Sequence, residues 1–316
     1  MKYQSLLRLF AALALMSGLT YALVGPAIAA GTVHWSYEGE AGPENWGNLS
    51  PDFKLCGTGK AQTPIDIPSS AVVNPADIKF NYQPSAVNIL NNGHTIQVNY
   101  DPNSSIEVGG KTYNLKQFHF HTPSEHTRDG THTDLEMHLV HQAADGQLAV
   151  VGVMIKKGAE NAAFKPVFDN LPAQEQEAKA VPGAMVNSAD LLPSTRTYYR
   201  YEGSLTTPPC SEGVQWLVMN TPIELSDAQV GAFQAIFKMD ARPIQPLNGR
   251  SFLMTASMTT PSQTSASDTT AAKSAAPQKL PATGGEGFPI PFALMGLGLL
   301  VALAGLFGLR RQAHSA

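Results

Sequence analysis

Alternating aromatic and imidazole side chains constrain the fold of this chain more than any other feature. The segment Gln117-Phe118-His119-Phe120-His121 predicts a β-strand, because successive side chains of a strand point to opposite faces of a sheet. His119 and His121 then project from one face, and the two phenylalanines project from the other into apolar packing. The pattern therefore predicts a sheet with one apolar face and one face that carries imidazoles.

A third histidine, His138, lies in a second strand-like run. If that strand brings His138 beside His119 and His121, three neutral imidazoles meet at one point without a thiolate, a donor set that suits zinc. Three protein ligands on a tetrahedral ion leave one position open for water, as in catalytic sites. Glu136 and Gln117 each stand two residues from one of these histidines, so both are candidates to orient the rings. The alternative is a set of cross-strand polar contacts without a metal.

Short strand-like runs separated by turn residues dominate the chain, and long helical periodicity is scarce. Strands are predicted at residues 87–90, 95–100, 105–108, 117–121, 136–141, 148–155 and 215–219. Helices are predicted only at residues 162–170 and 226–237, the second with Ser226 and Gln229 spaced as in a capping box. We therefore expect a mainly β (α+β) single domain, built on a large, mostly antiparallel, twisted central sheet with short peripheral helices.

Both ends of the chain have the composition of targeting segments rather than of a folded domain. Residues 1–30 combine a positively charged start, an apolar run and small residues at a cleavage point, as in a secretory signal peptide. An uncleaved membrane anchor is the alternative for this segment. Near the other end, the apolar residues 288–309 are long enough to span a bilayer and are followed by two arginines, which would stay on the cytoplasmic side.

The pentapeptide Leu280-Pro281-Ala282-Thr283-Gly284 precedes that apolar stretch. Together with the hydrophobic helix and basic tail of residues 284–316, it resembles the cell-wall sorting signal that sortases read, which implies cleavage after Thr283 and covalent attachment to the envelope. Residues 255–283 are rich in Ser, Thr, Ala and Pro and are predicted to form a disordered tether. The implied partners are a sortase and the cell wall; a membrane anchor retained through the C-terminal helix is the alternative.

The remaining residues, 31–254, suffice for one domain with a substantial core. The formal net charge of the chain is −4, which argues against a nucleic-acid partner because such partners select basic surfaces. Cys56 and Cys210 are the two cysteines of the chain, and an even number in an exported domain favours one disulfide. Two free thiols are the alternative.

Ordered motifs across residues 32–254 resemble the α-class carbonic anhydrases. Besides the histidine strands, they are His34-Trp35-Ser36-Tyr37, Gly42-Pro43-Glu44-Asn45-Trp46, Thr63-Pro64-Ile65-Asp66-Ile67, Asn91-Asn92-Gly93-His94, Ser124-Glu125-His126, Gly203-Ser204-Leu205-Thr206-Thr207-Pro208-Pro209, Arg242-Pro243 and Gln245-Pro246-Leu247. The resemblance implies reversible hydration of carbon dioxide to bicarbonate and a proton, by attack of zinc-bound hydroxide, at the cell envelope. A catalytically silent surface binding module on the same fold is the alternative.

The resemblance also implies catalytic roles at matching positions. The Zn²⁺ ligands would be His119, His121 and His138. Thr206 would hold the zinc-bound hydroxide and donate its own proton to Glu125. His94 would be the proton shuttle, and an imidazole pKa near 6.5 suits that task at neutral pH.

Further positions follow from the same resemblance. The apolar pocket for carbon dioxide would be lined by Val140, Val150, Leu205 and Trp216. Thr207 would hydrogen-bond the bicarbonate product. Tyr37 and Gln97 would help to order the water chain toward the shuttle. Cys56 and Cys210 match the disulfide positions of bacterial and extracellular members.

Overall fold

The computed structural model describes residues 33–75 and 77–253. The predicted signal peptide (1–30), tether (255–283) and sorting tail (284–316) lie outside the described residues. The chain divides into two compact units, Met1–Trp35 and Ser36–Ala316. Residues 33–35 have no regular structure, and all elements named below belong to the second unit. Among the described residues, no helix is long and apolar enough to cross a membrane.

Strands make up most of the regular structure in the described part of the chain. They are β1 (Asp66–Ile67), β2 (Lys79–Asn81), β3 (Ser85–Asn91), β4 (Ile96–Asn99), β5 (Ser105–Val108), β6 (Lys111–His121), β7 (Thr127–Arg128), β8 (Leu135–Gln142), β9 (Leu148–Lys157), β10 (Gln176–Val186), β11 (Tyr198–Ser204), β12 (Glu212–Met219) and β13 (Ile223–Leu225). The α-helices are α1 (Trp46–Leu49), α2 (Leu55–Thr58), α3 (Lys165–Phe168) and α4 (Asp227–Ile236), and 3₁₀ turns lie at Gly39–Ala41, Pro51–Phe53 and Ala162–Phe164.

One large sheet organises the fold. Its main path runs β10-β3-β4-β6-β8-β9-β12-β11, with β13 beside β9, β5 beside β6 and β2 beside β5. Most neighbours are antiparallel, whereas β12 and β13 run parallel to β9. β1 and β7 form a separate parallel pair. The predicted fold class, a mostly antiparallel central sheet with short helices, is confirmed.

The two faces of the sheet differ as the alternation in β6 predicts. Phe118 and Phe120 are fully buried in the larger apolar cluster, where they stand in register with Leu139 and Met137 of β8. The imidazole face carries a second apolar cluster, which includes Val140, Val150 and Trp216 from β8, β9 and β12. The sheet therefore separates the main core from the side on which the histidines lie.

Helix α4 forms as its capping signal predicts. The hydroxyl of Ser226 accepts a hydrogen bond from the Gln229 backbone N–H, and the Gln229 side chain accepts one from the Ser226 backbone N–H. Val230 and Phe233 bury one side of the helix in the main core. The predicted helix at residues 162–170 is a 3₁₀ turn followed by the single turn of α3.

Candidate metal centre

Three imidazoles meet on neighbouring strands. His119 of β6 stands directly opposite His138 of β8, and His121 follows on the same face of β6. The ring centroids are 5.0 Å apart for His119 and His121, 5.3 Å for His119 and His138, and 4.7 Å for His121 and His138. One nitrogen from each ring lies within 4.8 Å of the other two.

The second nitrogen of each ring is held by a protein acceptor. Nδ1 of His119 lies 2.8 Å from Oε1 of Gln117, and Nε2 of His138 lies 2.9 Å from Oε1 of Glu136. Nδ1 of His121 lies 2.7 Å from the backbone oxygen of Asp240. Each ring therefore donates outward and keeps the lone pair of its other nitrogen, which is the arrangement that fixes ligand histidines.

The inward nitrogens fit a metal. Nε2 of His121 is buried and has no hydrogen-bond partner in the structure. A buried nitrogen lone pair without a donor is unfavourable, and a cation between the three rings would satisfy it. Three imidazole nitrogens without a thiolate form a donor set that suits zinc.

Burial keeps the cluster neutral. It lowers the pKa of His121 to about 4 and that of His138 below the usual range. Burial also holds the pKa of His119 well below its usual range, and the two neighbouring histidines lower it further. Neutral rings are the form in which histidine binds a metal.

Glu125 lies between the rings and the loop that carries Thr206. Its Oε2 atom is 3.6 Å from Nε2 of His121 and 3.8 Å from Nδ1 of His138, while its Oε1 atom accepts a hydrogen bond of 2.9 Å from the backbone N–H of Arg242. Burial raises the pKa of Glu125 to about 7, and the nearby hydroxyl of Thr206 is among the groups that oppose this shift. Glu125 thus adjoins the rings, and the largely buried Thr206 lies beside Glu125.

An apolar wall adjoins the rings on the same face. Val140, Val150 and Trp216 occupy one row across β8, β9 and β12 and are buried in the second apolar cluster. The ring of Trp216 lies 4.8 Å from that of His138, measured between centroids. Leu205 packs against the same cluster and is partly buried. Thr207, two residues further along this loop, is half-buried, and its backbone oxygen accepts a hydrogen bond from Cys210.

The predicted proton shuttle and the two residues predicted to order water are spread over different elements. His94 is half-buried in the turn between β3 and β4, where its backbone N–H donates to the side-chain oxygen of Asn92. Gln97 stands directly opposite His119 in the sheet. Tyr37 packs edge-on against Trp46, and burial raises the pKa of its hydroxyl well above the usual range, with Glu125 adding to the shift.

Comparison with known proteins identifies the family. Residues 41–256 match the profile of the eukaryotic-type carbonic anhydrases. The chain belongs to the α-carbonic anhydrases. A curated carbonic anhydrase from Nostoc sp. (strain PCC 7120) is 43% identical over 252 residues, which cover 78% of this chain and 95% of that protein. One from Pectobacterium carotovorum is 44% identical over 225 residues, 71% of this chain and 92% of that protein.

A solved α-carbonic anhydrase has the same fold. The enzyme from Thermovibrio ammonificans, in complex with the inhibitor sulfanilamide, superposes with a TM-score of 0.68 at 44% sequence identity, covering 71% of this chain and all of that one. The chain is therefore a carbonic anhydrase by fold and by sequence, and carbon dioxide and bicarbonate are its substrate and product.

The disulfide predicted from the cysteine count is confirmed in this α-carbonic anhydrase. Cys56 and Cys210 are bonded across 154 positions of sequence, with their Cα atoms 5.0 Å apart. The bond fixes the end of the loop that carries Thr206 and Thr207 against helix α2. A disulfide of this kind indicates an extracellular protein.

Sequence reasoning missed two residues that support this carbonic anhydrase site. Asp240 holds His121 through its backbone oxygen, which no side-chain pattern reveals. Arg242 is 2% exposed, and its guanidinium donates to the backbone oxygens of Thr63 and Cys56 at 2.8 and 3.1 Å. The Arg242-Pro243 motif was the signal that could have identified the second of these residues.

Sequence reasoning also gave His126 no role at the site. The structure buries it completely, and both of its ring nitrogens are engaged: Nδ1 with Glu136 at 2.7 Å and Nε2 with Tyr201 at 2.6 Å. Together with Glu136 and His138, it forms a second group of side chains whose nitrogen and oxygen atoms lie close enough together to hold a metal ion. Both nitrogens of His126 are hydrogen-bonded within the protein, so this second group offers no open imidazole nitrogen from His126 to a metal.

Proposed function

We propose that this carbonic anhydrase is an exported zinc enzyme that hydrates carbon dioxide reversibly to bicarbonate and a proton. The observation that carries the proposal is the convergence of three buried imidazole nitrogens within 4.8 Å, with the opposite nitrogen of each ring hydrogen-bonded to protein. We assign His119, His121 and His138 as the metal ligands. The donor set and its neutrality support zinc over harder ions, which prefer oxygen ligands.

Zinc in such a site lowers the pKa of bound water to about 7, which supplies a nucleophile at neutral pH, and the carbonic anhydrases are themselves the standard example of this effect. We assign Thr206 and Glu125 to orient the reacting oxygen. Thr206 donates its proton to the Glu125 carboxylate, so its own oxygen only accepts. A ligand that can donate a hydrogen bond to Thr206 is then favoured at this position over a ligand that has no proton to donate.

The substrate pocket follows from the apolar wall. Carbon dioxide is small and uncharged, so Val140, Val150 and Trp216 exclude water around it while Leu205 closes the side nearest the loop. Thr207 stands where the chain turns away from this wall and is assigned to the bicarbonate product. The pocket thus separates an apolar side for the substrate from a polar side for the product.

Each turnover releases a proton that must leave the site. We assign His94 as the group that carries it to solvent, because imidazole exchanges protons near neutral pH and this residue is only half-buried. Gln97, beside His119, and Tyr37, near Glu125, are assigned to order the water between the site and His94.

We propose the cell surface as the location of the enzyme. The disulfide supports an extracellular protein, and the sequence supports secretion by residues 1–30 and anchoring to the cell wall at Thr283 by a sortase. Mass spectrometry of the mature protein tests both ends. A C-terminus at Thr283 supports sortase processing, whereas an intact Ala316 supports the alternative, a retained membrane helix.

Stopped-flow measurement of carbon dioxide hydration tests the catalytic proposal. We expect rapid hydration by the zinc-loaded protein, loss of activity after removal of zinc by a chelator, and recovery when zinc is restored. Sulfanilamide, which is bound in the Thermovibrio ammonificans structure, should inhibit the reaction. Absence of activity in fully zinc-loaded protein would refute the enzyme and leave a binding module on the same fold.

His121→Ala tests the ligand set directly. Removing one of three protein ligands should abolish stable zinc binding, as measured by metal analysis after dialysis. His132→Ala is the matched control, because His132 is exposed, bonds the backbone oxygen of Ser124 through Nδ1 and lies outside the cluster. Full zinc occupancy in His121→Ala would remove that residue from the ligand set.

A further inference from the structure

A buried chain of hydrogen bonds leads away from the ligand His138. Oε1 of Glu136 lies 2.9 Å from Nε2 of His138 and 2.7 Å from Nδ1 of His126, and Oε2 of Glu136 accepts a hydrogen bond of 2.8 Å from the His126 backbone N–H. On the far side of the His126 ring, Nε2 lies 2.6 Å from the hydroxyl of Tyr201. The chain thus extends from β8 to β11, across the strands that carry the apolar wall.

The same chain continues from Tyr201 to the loop that carries Thr206. The Tyr201 hydroxyl is hydrogen-bonded to Oγ1 of Thr63 at 3.2 Å. Thr63 and Ser204 are joined twice: the Ser204 backbone N–H donates to Oγ1 of Thr63 at 2.9 Å, and the Thr63 backbone N–H donates to Oγ of Ser204 at 3.0 Å. The Ser204 hydroxyl then donates to the backbone oxygen of Leu205, the residue before Thr206.

Every member of this chain is buried. Glu136, His126, Tyr201, Thr63 and Ser204 each have 0% exposed surface. Polar groups without access to water keep a fixed geometry only while all their hydrogen bonds are made, and a fully satisfied network of this kind is rigid. Burial alone would raise the pKa of Glu136, but interactions with His126 and His138 outweigh it and hold that pKa well below its usual range, so the carboxylate accepts all three hydrogen bonds.

We propose that Tyr201 is a positioning residue that fixes the metal ligand His138 relative to the loop of Thr206. Its hydroxyl joins the two halves of the chain: His126 and Glu136 on the side of the ligand, and Thr63 and Ser204 on the side of the loop. This inference rests on the proposed zinc site. Tyr201 touches neither metal nor substrate and acts only through its neighbours.

Removal of this hydroxyl has a defined local effect. In Tyr201→Phe, Nε2 of His126 becomes a buried nitrogen without a partner, and Oγ1 of Thr63 loses one of its two hydrogen bonds. The His126 ring should then hold the Glu136 carboxylate less firmly in one orientation. The metal site should loosen although all three ligands remain.

Tyr199→Phe is the matched control. Tyr199 stands two residues away on the same face of β11, is 2% exposed and belongs to the same apolar cluster. Its hydroxyl is also hydrogen-bonded to a side chain, Asn220, at 2.7 Å. Each variant therefore loses one tyrosine hydroxyl from β11. Only the hydroxyl of Tyr201 belongs to the chain of hydrogen bonds that reaches His138.

The test measures metal retention and metal geometry in the full protein. Partners beyond the ligands typically change metal affinity by about 10- to 100-fold, so we expect Tyr201→Phe to release zinc to a chelator about tenfold faster than wild type, and Tyr199→Phe to stay within about twofold. After exchange of zinc for cobalt, the visible spectrum and the midpoint of its pH dependence should shift in Tyr201→Phe alone. A general loss of stability would affect both variants alike and leave the cobalt spectrum unchanged.

A second pair keeps the inference testable if Tyr201→Phe does not fold. Thr63→Val removes the hydroxyl that receives Tyr201 and should release zinc faster, whereas Thr63→Ser retains it and should behave as wild type. Zinc release and cobalt spectra equal to those of Tyr199→Phe would overturn the role of Tyr201. Failure of the wild-type protein to bind zinc would instead overturn the proposed function.

Discussion

Each imidazole of the cluster has a different kind of acceptor on its outer nitrogen. His119 has a side-chain amide, His121 a backbone carbonyl and His138 the carboxylate of Glu136. A hydrogen bond to an ionised acceptor is about twice as strong as one between neutral groups. Glu136 therefore increases the basicity of the inward nitrogen of His138 more than the partners of the other two rings increase theirs. The hydrogen bonds that hold His138 also extend furthest into the protein, through His126 to Tyr201.

A buried histidine outside the site contributes to the response of stability to acid. His141 is fully buried, lies 2.8 Å from the hydroxyl of Tyr82 through Nε2, and has its pKa lowered by burial to about 3. The unfolded chain binds this proton near pH 6.5, so the folded state loses stability as pH falls from 6.5 toward 3. Between pH 7.5 and pH 5, we expect the free energy of unfolding to fall by about 2 kcal/mol more in wild type than in His141→Gln.

Urea denaturation of the zinc-free protein at the two pH values measures this difference. Tyr82→Phe is the control, because it removes the hydrogen-bond partner but keeps the titrating ring. It should retain the steep pH dependence of wild type. Equal slopes for wild type and His141→Gln would show that His141 does not contribute to acid sensitivity.

Single residues also show what a sequence reveals about a site. Gln117 and Glu136 could be predicted because each stands two residues from its histidine, and strand alternation fixes their side. Asp240 could not, because it contributes a backbone oxygen from 119 positions away. The roles given to His94 and Thr206 came from motif resemblance and remain predictions.

At the scale of elements, the strands with alternating or continuous apolar patterns were predictable and the others were not. The apolar side chains of β6 and β9 are buried, and the sequence patterns of these segments predicted the strands. β10 is exposed along most of its length, and it includes Pro182 and Gly183, so its sequence lacks a strand pattern. It forms because β3 provides an antiparallel partner, with two register shifts along the pair.

Gly152 of β9 provides the space in which the site is assembled. A Cβ atom at this position would lie 3.0 Å from Oε1 of Glu136, the atom that accepts from His138. Gly152→Ala should displace the carboxylate and weaken zinc binding by about tenfold, as losses next to ligand histidines typically do. Competition titration against a zinc chelator measures this change.

Gly231→Ala is the matched control on another element. Gly231 lies in α4, where an added Cβ would meet no atom within 4 Å. Alanine favours a helix interior over glycine, so this variant should gain about 0.5–1 kcal/mol in free energy of unfolding and bind zinc as wild type does. Unchanged zinc affinity in Gly152→Ala would refute the steric argument.

At the scale of the whole molecule, the last described residues close one edge of the sheet. Leu253 donates its backbone N–H to the backbone oxygen of Arg200, and Asn74 pairs with Tyr198 further along β11. Arg250 donates to the backbone oxygen of Glu202 at 2.9 Å. The free edge of β11 is thereby covered, which removes a site at which other strands could pair.

The disulfide is the longest covalent constraint of the fold. It closes a loop of 154 positions, and loop-closure entropy predicts a loss of about 5 kcal/mol of stability when both cysteines are replaced by serine. Urea denaturation of Cys56→Ser/Cys210→Ser tests this value. Stability equal to that of wild type would mean that the bond does not constrain the unfolded chain.

The same bond leads us to expect an order in which the enzyme matures. The three imidazoles lie on adjacent strands close together in the chain, so we expect a reduced polypeptide to bring the proposed zinc ligands together already. The loop of Thr206 and Thr207 is covalently joined to α2 only when Cys56 and Cys210 are oxidised. A reduced molecule would therefore hold zinc while the loop of Thr206 is less firmly placed beside Glu125, and we expect it to turn over slowly. Transfer to an oxidising compartment would then be the activating step, which would spare the interior of the producing cell from the reaction.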